Sequence, residues 1–101
     1  MRPSRNAQLI QAFSGVLKAR RLQLGMTQED LAGAIDLDRP YITLMEGGAK
    51  QPTLSVLWRL TAGLQITMAD LASMTDERLA RLQTPAASPA AAKKTSTRRR
   101  I

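Results

Sequence analysis

The sequence has no cysteine and no histidine, and its only aromatic residues are Phe13, Tyr41 and Trp58. Without cysteine there is neither a disulfide framework nor a thiolate metal site. Without histidine the commonest general base and a principal metal ligand are missing too, so no metal, cofactor or catalytic constellation is expected. Long apolar runs are also absent. No segment approaches a membrane span, and the start, MRPSRNAQ, lacks the apolar stretch of a signal peptide, so a soluble cytoplasmic protein with no membrane partner is expected. The chain is hydrophobic at 44% of positions, so a core has to be assembled from Leu, Ile, Val, Met and Ala. With 101 residues there is room for one domain with one modest core, and that composition favours a small helical bundle over a sheet sandwich.

The formal net charge is +7, but it is unevenly distributed. Residues 1–83 carry ten Lys and Arg against all eight Asp and Glu, which leaves +2. The other five positive charges are Lys93, Lys94, Arg98, Arg99 and Arg100, in a segment with Pro85, Pro89 and no acid. Residues 84–101 are therefore expected to form a disordered basic tail behind a folded unit at 1–83. Two readings of the tail stand side by side, a solubilising end and a nonspecific attractor of phosphate.

Within the folded part, periodicity is helical throughout. Leu9, Phe13 and Leu17 are spaced by four and are joined by Ile10, which predicts a helix from about Ala7 to Leu24, ended by Gly25. Thr27 is an N-cap with Asp30 as its box partner, and Leu31 and Ile35 form the inner stripe of a short second helix. Asp36 stands in the following turn, where an aspartate tolerates backbone angles that other side chains resist. A third helix starts near Arg39 with Pro40 in its first turn, turns Ile42 and Met45 inward, and stops at Gly47 and Gly48. Thr53 caps a fourth, with Leu54, Leu57, Leu60 or Thr61, and Leu64 expected to face in. Thr67 and Asp70 open a fifth, carrying Leu71 and Met74. The expectation is an all-α, compact five-helix domain.

The stretch GMTQEDLAGAIDLDRPYITLMEGG, followed by QPTLSVLWRLTAGLQITMADL, resembles the helix-turn-helix domain of the Cro and lambda-repressor (XRE) family. The match covers about Phe13 to Met74, and Leu31, Ala32, Ile35, Leu37, Ile42 and Met45 fill its apolar or small positions. Within the family, short restriction-modification controller proteins are especially similar in GMTQEDLA and LDRxYI. The resemblance implies a lambda-repressor-like fold and a transcriptional regulator, most often a repressor, acting as a homodimer on double-stranded DNA in a bacterial, phage or plasmid setting, associated with the nucleoid. It also implies that Arg21 and Glu46 form a buried ion pair bracing the third helix, that Gln28 meets DNA, and that the Trp58 face, with Met68 and Leu71, lies near the dimer contact. Trp58 as ordinary core stands as the alternative. The pattern is departed from at Arg20, usually apolar, at Asp36, usually Gly, at Leu44, often basic, and at Gly47, often charged.

The chemistry of the residues points the same way. With Ile42 and Met45 inward, the outer face of the third helix carries Arg39, Pro40, Tyr41, Thr43 and Leu44. An α-helix fits the major groove, where Arg39 can bond bidentately to guanine and Thr43 can hydrogen-bond a base or touch a thymine methyl. The base-reading candidates are Gln28, Arg39, Pro40, Tyr41 and Thr43. Thr27 and Thr53 begin helices, whose free N–H groups favour phosphate, and Lys50 lies beside the second. A duller account exists for each: a solvated helix face for Arg39 and Tyr41, and capping alone for the threonines. Three functional classes follow. The first is a DNA-binding regulator reading a palindromic operator. The second is an antitoxin or bridging factor whose main partner is another protein, such as a toxin. The third is an enzyme, which the absence of any acid-base or nucleophile arrangement disfavours.

Overall fold

In a computed structural model, residues 6–83 are described, and the tail expected at 84–101 lies outside them. Five helices follow one another: α1 (Ala7–Gln23), α2 (Gln28–Ala34), α3 (Arg39–Glu46), α4 (Leu54–Leu64) and α5 (Met68–Gln83). No strand occurs among the described residues, and no helix among them is long and apolar enough to cross a membrane.

Helix starts follow the expected chemistry. Thr27 accepts from the Asp30 N–H at 2.9 Å while its own N–H donates to the Asp30 carboxylate at 2.9 Å, a complete capping box. Thr67 and Asp70 repeat that reciprocal pair at 3.0 and 2.9 Å, and Thr53 accepts from the Val56 N–H at 3.1 Å. Asn6, which the sequence reading passed over, caps α1 through the Leu9 N–H. These bonds hold the Asp30 and Asp70 carboxyls below their ordinary pKa, with the Thr27 and Thr67 backbone N–H groups as the leading causes. A depressed folded-state pKa means that the stabilisation is present above the ordinary carboxylate range and is lost as the pH falls through and below it.

Helix ends follow one device used four times. A left-handed residue at Gly25, Asp36, Gly48 or Gln65 (φ 72°, 58°, 77° and 59°) reverses the chain. The next N–H then reaches back to a last-turn carbonyl: Met26 to Arg21, Leu37 to Ala32, Ala49 to Leu44 and Ile66 to Thr61, all at 2.9–3.1 Å. Asp36 thus does the work of a turn glycine.

The core comprises Phe13, Val16 and Leu17 of α1, Leu31, Ala32 and Ile35 at α2, Ile42 and Met45 of α3, Val56, Leu60 and Leu64 of α4, and Leu71 of α5. Two expected inward positions are corrected. Leu54 is 72% exposed, because the buried row of α4 is Val56, Leu60 and Leu64. A residue two positions before Val56 is rotated by about 200° and faces the opposite side, as does Trp58, two positions after it. Leu9 is 42% exposed and sits in the first turn of α1, at the rim of the core.

Helices α2 and α4 meet at Gly63, where an added Cβ would lie 2.6 Å from Ile35 Cγ2 and 2.9 Å from Leu31 Cδ1. Gly33, in the last turn of α2, has nothing within 4 Å of such a position. Gly63→Ala is expected to destabilise the protein by about 1 to 3 kcal/mol through overpacking, and Gly33→Ala to stabilise it by about 0.5 to 1 kcal/mol through helix propensity. Urea unfolding of both variants checks this, and shifts of the same sign would contradict the close α2–α4 approach.

Candidate nucleic-acid interface

The outward face of α3 is built on a buried ion pair. Arg21, near the end of α1, places Nε 2.6 Å and Nη2 3.0 Å from the two carboxylate oxygens of Glu46 at the end of α3. Both side chains are almost wholly covered, at 8% and 4% exposure. The third guanidinium nitrogen donates to the Met26 carbonyl at 2.7 Å, so one arginine joins α1, the entry to α2 and the end of α3. Glu46 holds the Arg21 pKa above its ordinary value, chiefly through their hydrogen bonds. The pairing implied by the family resemblance is thus present in full.

Gln28 extends this centre to the surface. Its side-chain nitrogen donates to Glu46 Oε1 at 3.0 Å, and its carbonyl oxygen accepts from the Thr43 hydroxyl at 2.6 Å. Gln28 is half-buried and Thr43 exposed, so a continuous chain runs from Arg21 through Glu46 and Gln28 to the middle of α3. Arg39 and Pro40 are exposed in the first turn of α3, and Tyr41 is half-buried against the core. The Lys50 ammonium lies 5.3 Å from the centroid of the Tyr41 ring, which brings the loop after α3 over its first turn. Leu44 is 45% exposed on the same helix.

The remaining candidates separate. Thr27 commits its N–H and its hydroxyl oxygen to the box with Asp30, and Thr53 commits its hydroxyl oxygen to capping α4. Trp58, 67% exposed, stands with Leu54 on the outer side of α4. Met68 and Leu71 instead line a groove with Leu9, Phe13, Pro52 and Leu57, and Leu71 is only 5% exposed. The structure therefore does not bring the three residues of the expected dimer contact onto one exposed patch, since Leu71 is covered by its own chain.

Two arginines have roles the sequence did not disclose. Arg20 donates from Nε to the Leu64 carbonyl at 2.9 Å and closes the end of α4. Arg59 donates to the Ile35 carbonyl at 2.8 and 3.1 Å and to the Asp36 carbonyl at 2.7 Å, closing the end of α2. The signal available in sequence was the departure at Arg20; the carbonyls it serves lie more than forty residues away and carry no sequence mark. Among the described residues no buried side-chain nitrogen or oxygen lacks a hydrogen-bond partner.

Arg21→Ala strands the Glu46 charge and is expected to cost about 3 to 5 kcal/mol, whereas Arg39→Ala removes an exposed side chain and leaves stability within about 0.5 kcal/mol. Thermal unfolding distinguishes them, and equal melting temperatures would remove Arg21 from its bracing role.

Known proteins share this arrangement. The family profile described as Helix-turn-helix matches residues 17–71, from the middle of α1 into α5. The control protein C.MunI of Mycoplasma is 39% identical over 56 residues, covering 55% of this chain and 76% of its own. The HTH-type transcriptional regulator y4dJ of Sinorhizobium fredii is 30% identical over 57 residues, covering 56% and 74%. The crystal structure of the restriction-modification controller protein C.Esp1396I, a tetramer in complex with its natural 35 base-pair operator, superposes with a TM-score of 0.67 at 35% identity over 70% of this chain and 93% of that one. With that profile matching more than half of its residues, the chain belongs to the helix-turn-helix family.

Proposed function

We propose that the protein is a sequence-specific DNA-binding transcriptional regulator that lays α3 in the major groove of a palindromic operator as a dimer. The observation that carries this reading is the presentation of Arg39 and Thr43 on the outer face of a helix held at its Glu46 end by the buried pair and along its inner face by Ile42 and Met45, with Tyr41 beside them under Lys50. A surface helix held this firmly, with a cation in its first turn, is suited to reading base edges. The likeness to an operator-bound controller protein at 35% identity supports the same placement.

Roles follow from geometry. Arg39 takes a guanine through its N7 and O6, and Tyr41 and Pro40 pack against base edges or sugars beside it. Gln28 keeps one amide N–H for an adjacent base or phosphate. Lys50 supplies a phosphate contact, and Thr53 keeps a hydroxyl donor for another. Thr27 caps α2 through its hydroxyl oxygen and, like Thr53, keeps its hydroxyl proton for a phosphate. The second copy of the chain sits on the exposed Leu54 and Trp58 face of α4.

Selection from a random duplex pool is expected to yield a palindrome with half-sites about one helical turn apart. On that operator, Arg39→Ala should cost about 1 to 3 kcal/mol and relax one base position in each half-site, while Lys50→Ala should weaken operator and random DNA alike. An equal loss on both DNAs for Arg39→Ala would reassign it to the backbone, and failure to enrich any sequence would favour the protein-binding alternative.

Trp58→Glu should convert the dimer to monomer in sedimentation velocity with the helical signal retained, since it places a charge in a contact meant to exclude water. An unchanged sedimentation coefficient for a dimeric protein would move the contact off α4.

A further inference from the structure

The hydrogen-bond chain from Arg21 to Thr43 has a direction, and the direction is set at its buried end. The Glu46 carboxylate can only accept, and its Oε1 lies 3.0 Å from both Arg21 Nη2 and a Gln28 side-chain atom. The end of the Gln28 amide that faces it must therefore be the nitrogen. That orientation turns the Gln28 carbonyl oxygen to Thr43, 2.6 Å from its hydroxyl. A carbonyl brings no hydrogen, so the proton between them belongs to Thr43. The other polar neighbour of the hydroxyl, the Arg39 carbonyl at 3.2 Å, is likewise only an acceptor. The single hydroxyl proton thus points back into the protein, and Thr43 shows the solvent only oxygen lone pairs and its γ-methyl group.

We propose that this chain fixes Thr43 as an acceptor in the groove, so that it pairs with an exocyclic amino group, N6 of adenine or N4 of cytosine, or packs on a thymine methyl, and rejects guanine's N7 and O6. The proposal rests on the reading that α3 enters the major groove. It makes Gln28 and Glu46 positioning residues for base discrimination, acting through the polarity of one hydroxyl. The complementarity is chemical: guanine presents two acceptors to the groove, whereas adenine and cytosine each present an amino donor and thymine a methyl group. An acceptor facing an acceptor leaves both unpaired in a desolvated contact, which is how a buried polar group discriminates.

Comparing selected sites for the wild type and Thr43→Val locates the base that Thr43 reads. Three operators are then compared at that position: the natural base pair, the same pair with its purine replaced by the 7-deaza analogue lacking the N7 acceptor, and the pair with an analogue lacking the exocyclic amino or methyl group. Wild-type affinity is expected to survive loss of N7 and to fall about two- to tenfold on loss of the amino or methyl group. Thr43→Val should abolish the amino dependence. Gln28→Met removes the 2.6 Å acceptor, leaves the hydroxyl proton only the longer 3.2 Å contact to the Arg39 carbonyl so that it can turn outward toward an acceptor base, and should narrow the wild-type ratio between the natural base and guanine at that position. A wild type weakened by the 7-deaza purine, or a ratio unaffected by Gln28→Met, would overturn the proposal. So would a Thr43→Val that shifts no position while Arg39→Ala still relaxes one, a result that leaves the groove reading standing. Loss of base effects from Arg39→Ala as well would instead remove that reading.

Discussion

The Arg21–Glu46 pair is the constraint on which the rest of the molecule depends. Burying two charges is costly, and an apolar pair of similar shape would serve stability as well or better. What an apolar pair would not supply is direction. One guanidinium fixes three pieces of chain at bond-length tolerance: the last turn of α1, the Met26 carbonyl at the entry to α2, and the end of α3. The position of α3 on the surface is therefore set by hydrogen-bond geometry as well as by packing of Ile42 and Met45. The same carboxylate then orients Gln28, which makes the polarity of an exposed hydroxyl answer to a charge in the interior.

A second consequence concerns where the positive charge goes. The described residues, 6–83, carry eight Lys and Arg against eight Asp and Glu and are formally neutral, and three of their arginines are used internally: Arg21 on Glu46, Arg20 on the end of α4, and Arg59 on the end of α2. Cations are favourable at helix C-termini, where carbonyls lack partners, so these contacts serve the fold. With Leu44 and Gly47 uncharged, Arg39 and Lys50 carry the α3 surface and its following loop.

Much of the fold was legible because it is written in local chemistry. Thr27 with Asp30 and Thr67 with Asp70 mark helix starts within one turn, and Gly25 and Gly48 mark ends by the conformations they permit. Asp36 was readable on the same ground, while Gln65 was not, since nothing in its side chain favours a left-handed angle. Leu54 misled because a spacing of three to Leu57 fits a helical stripe as well as the true row of Val56, Leu60 and Leu64; choosing between rows requires knowing what α4 packs against. At the site, Arg39 and Thr43 could be placed outward once Ile42 and Met45 were placed inward, whereas Tyr41, read as outward too, is half-buried against the core. The Gln28 link to Thr43, the Lys50–Tyr41 contact and the capping by Arg20 and Arg59 were hidden, because each joins segments whose relative position exists only after folding.

The central claim is that the first turn of α3 sits in the major groove. Methylation interference on the selected operator tests it most directly, because dimethyl sulfate marks guanine on N7 in the major groove and adenine on N3 in the minor groove. The account predicts that N7 methylation blocks binding at two clusters of guanines about one helical turn apart, and that the block disappears in Arg39→Ala. Interference confined to adenine N3, or a complex indifferent to methylation in either groove, would contradict it.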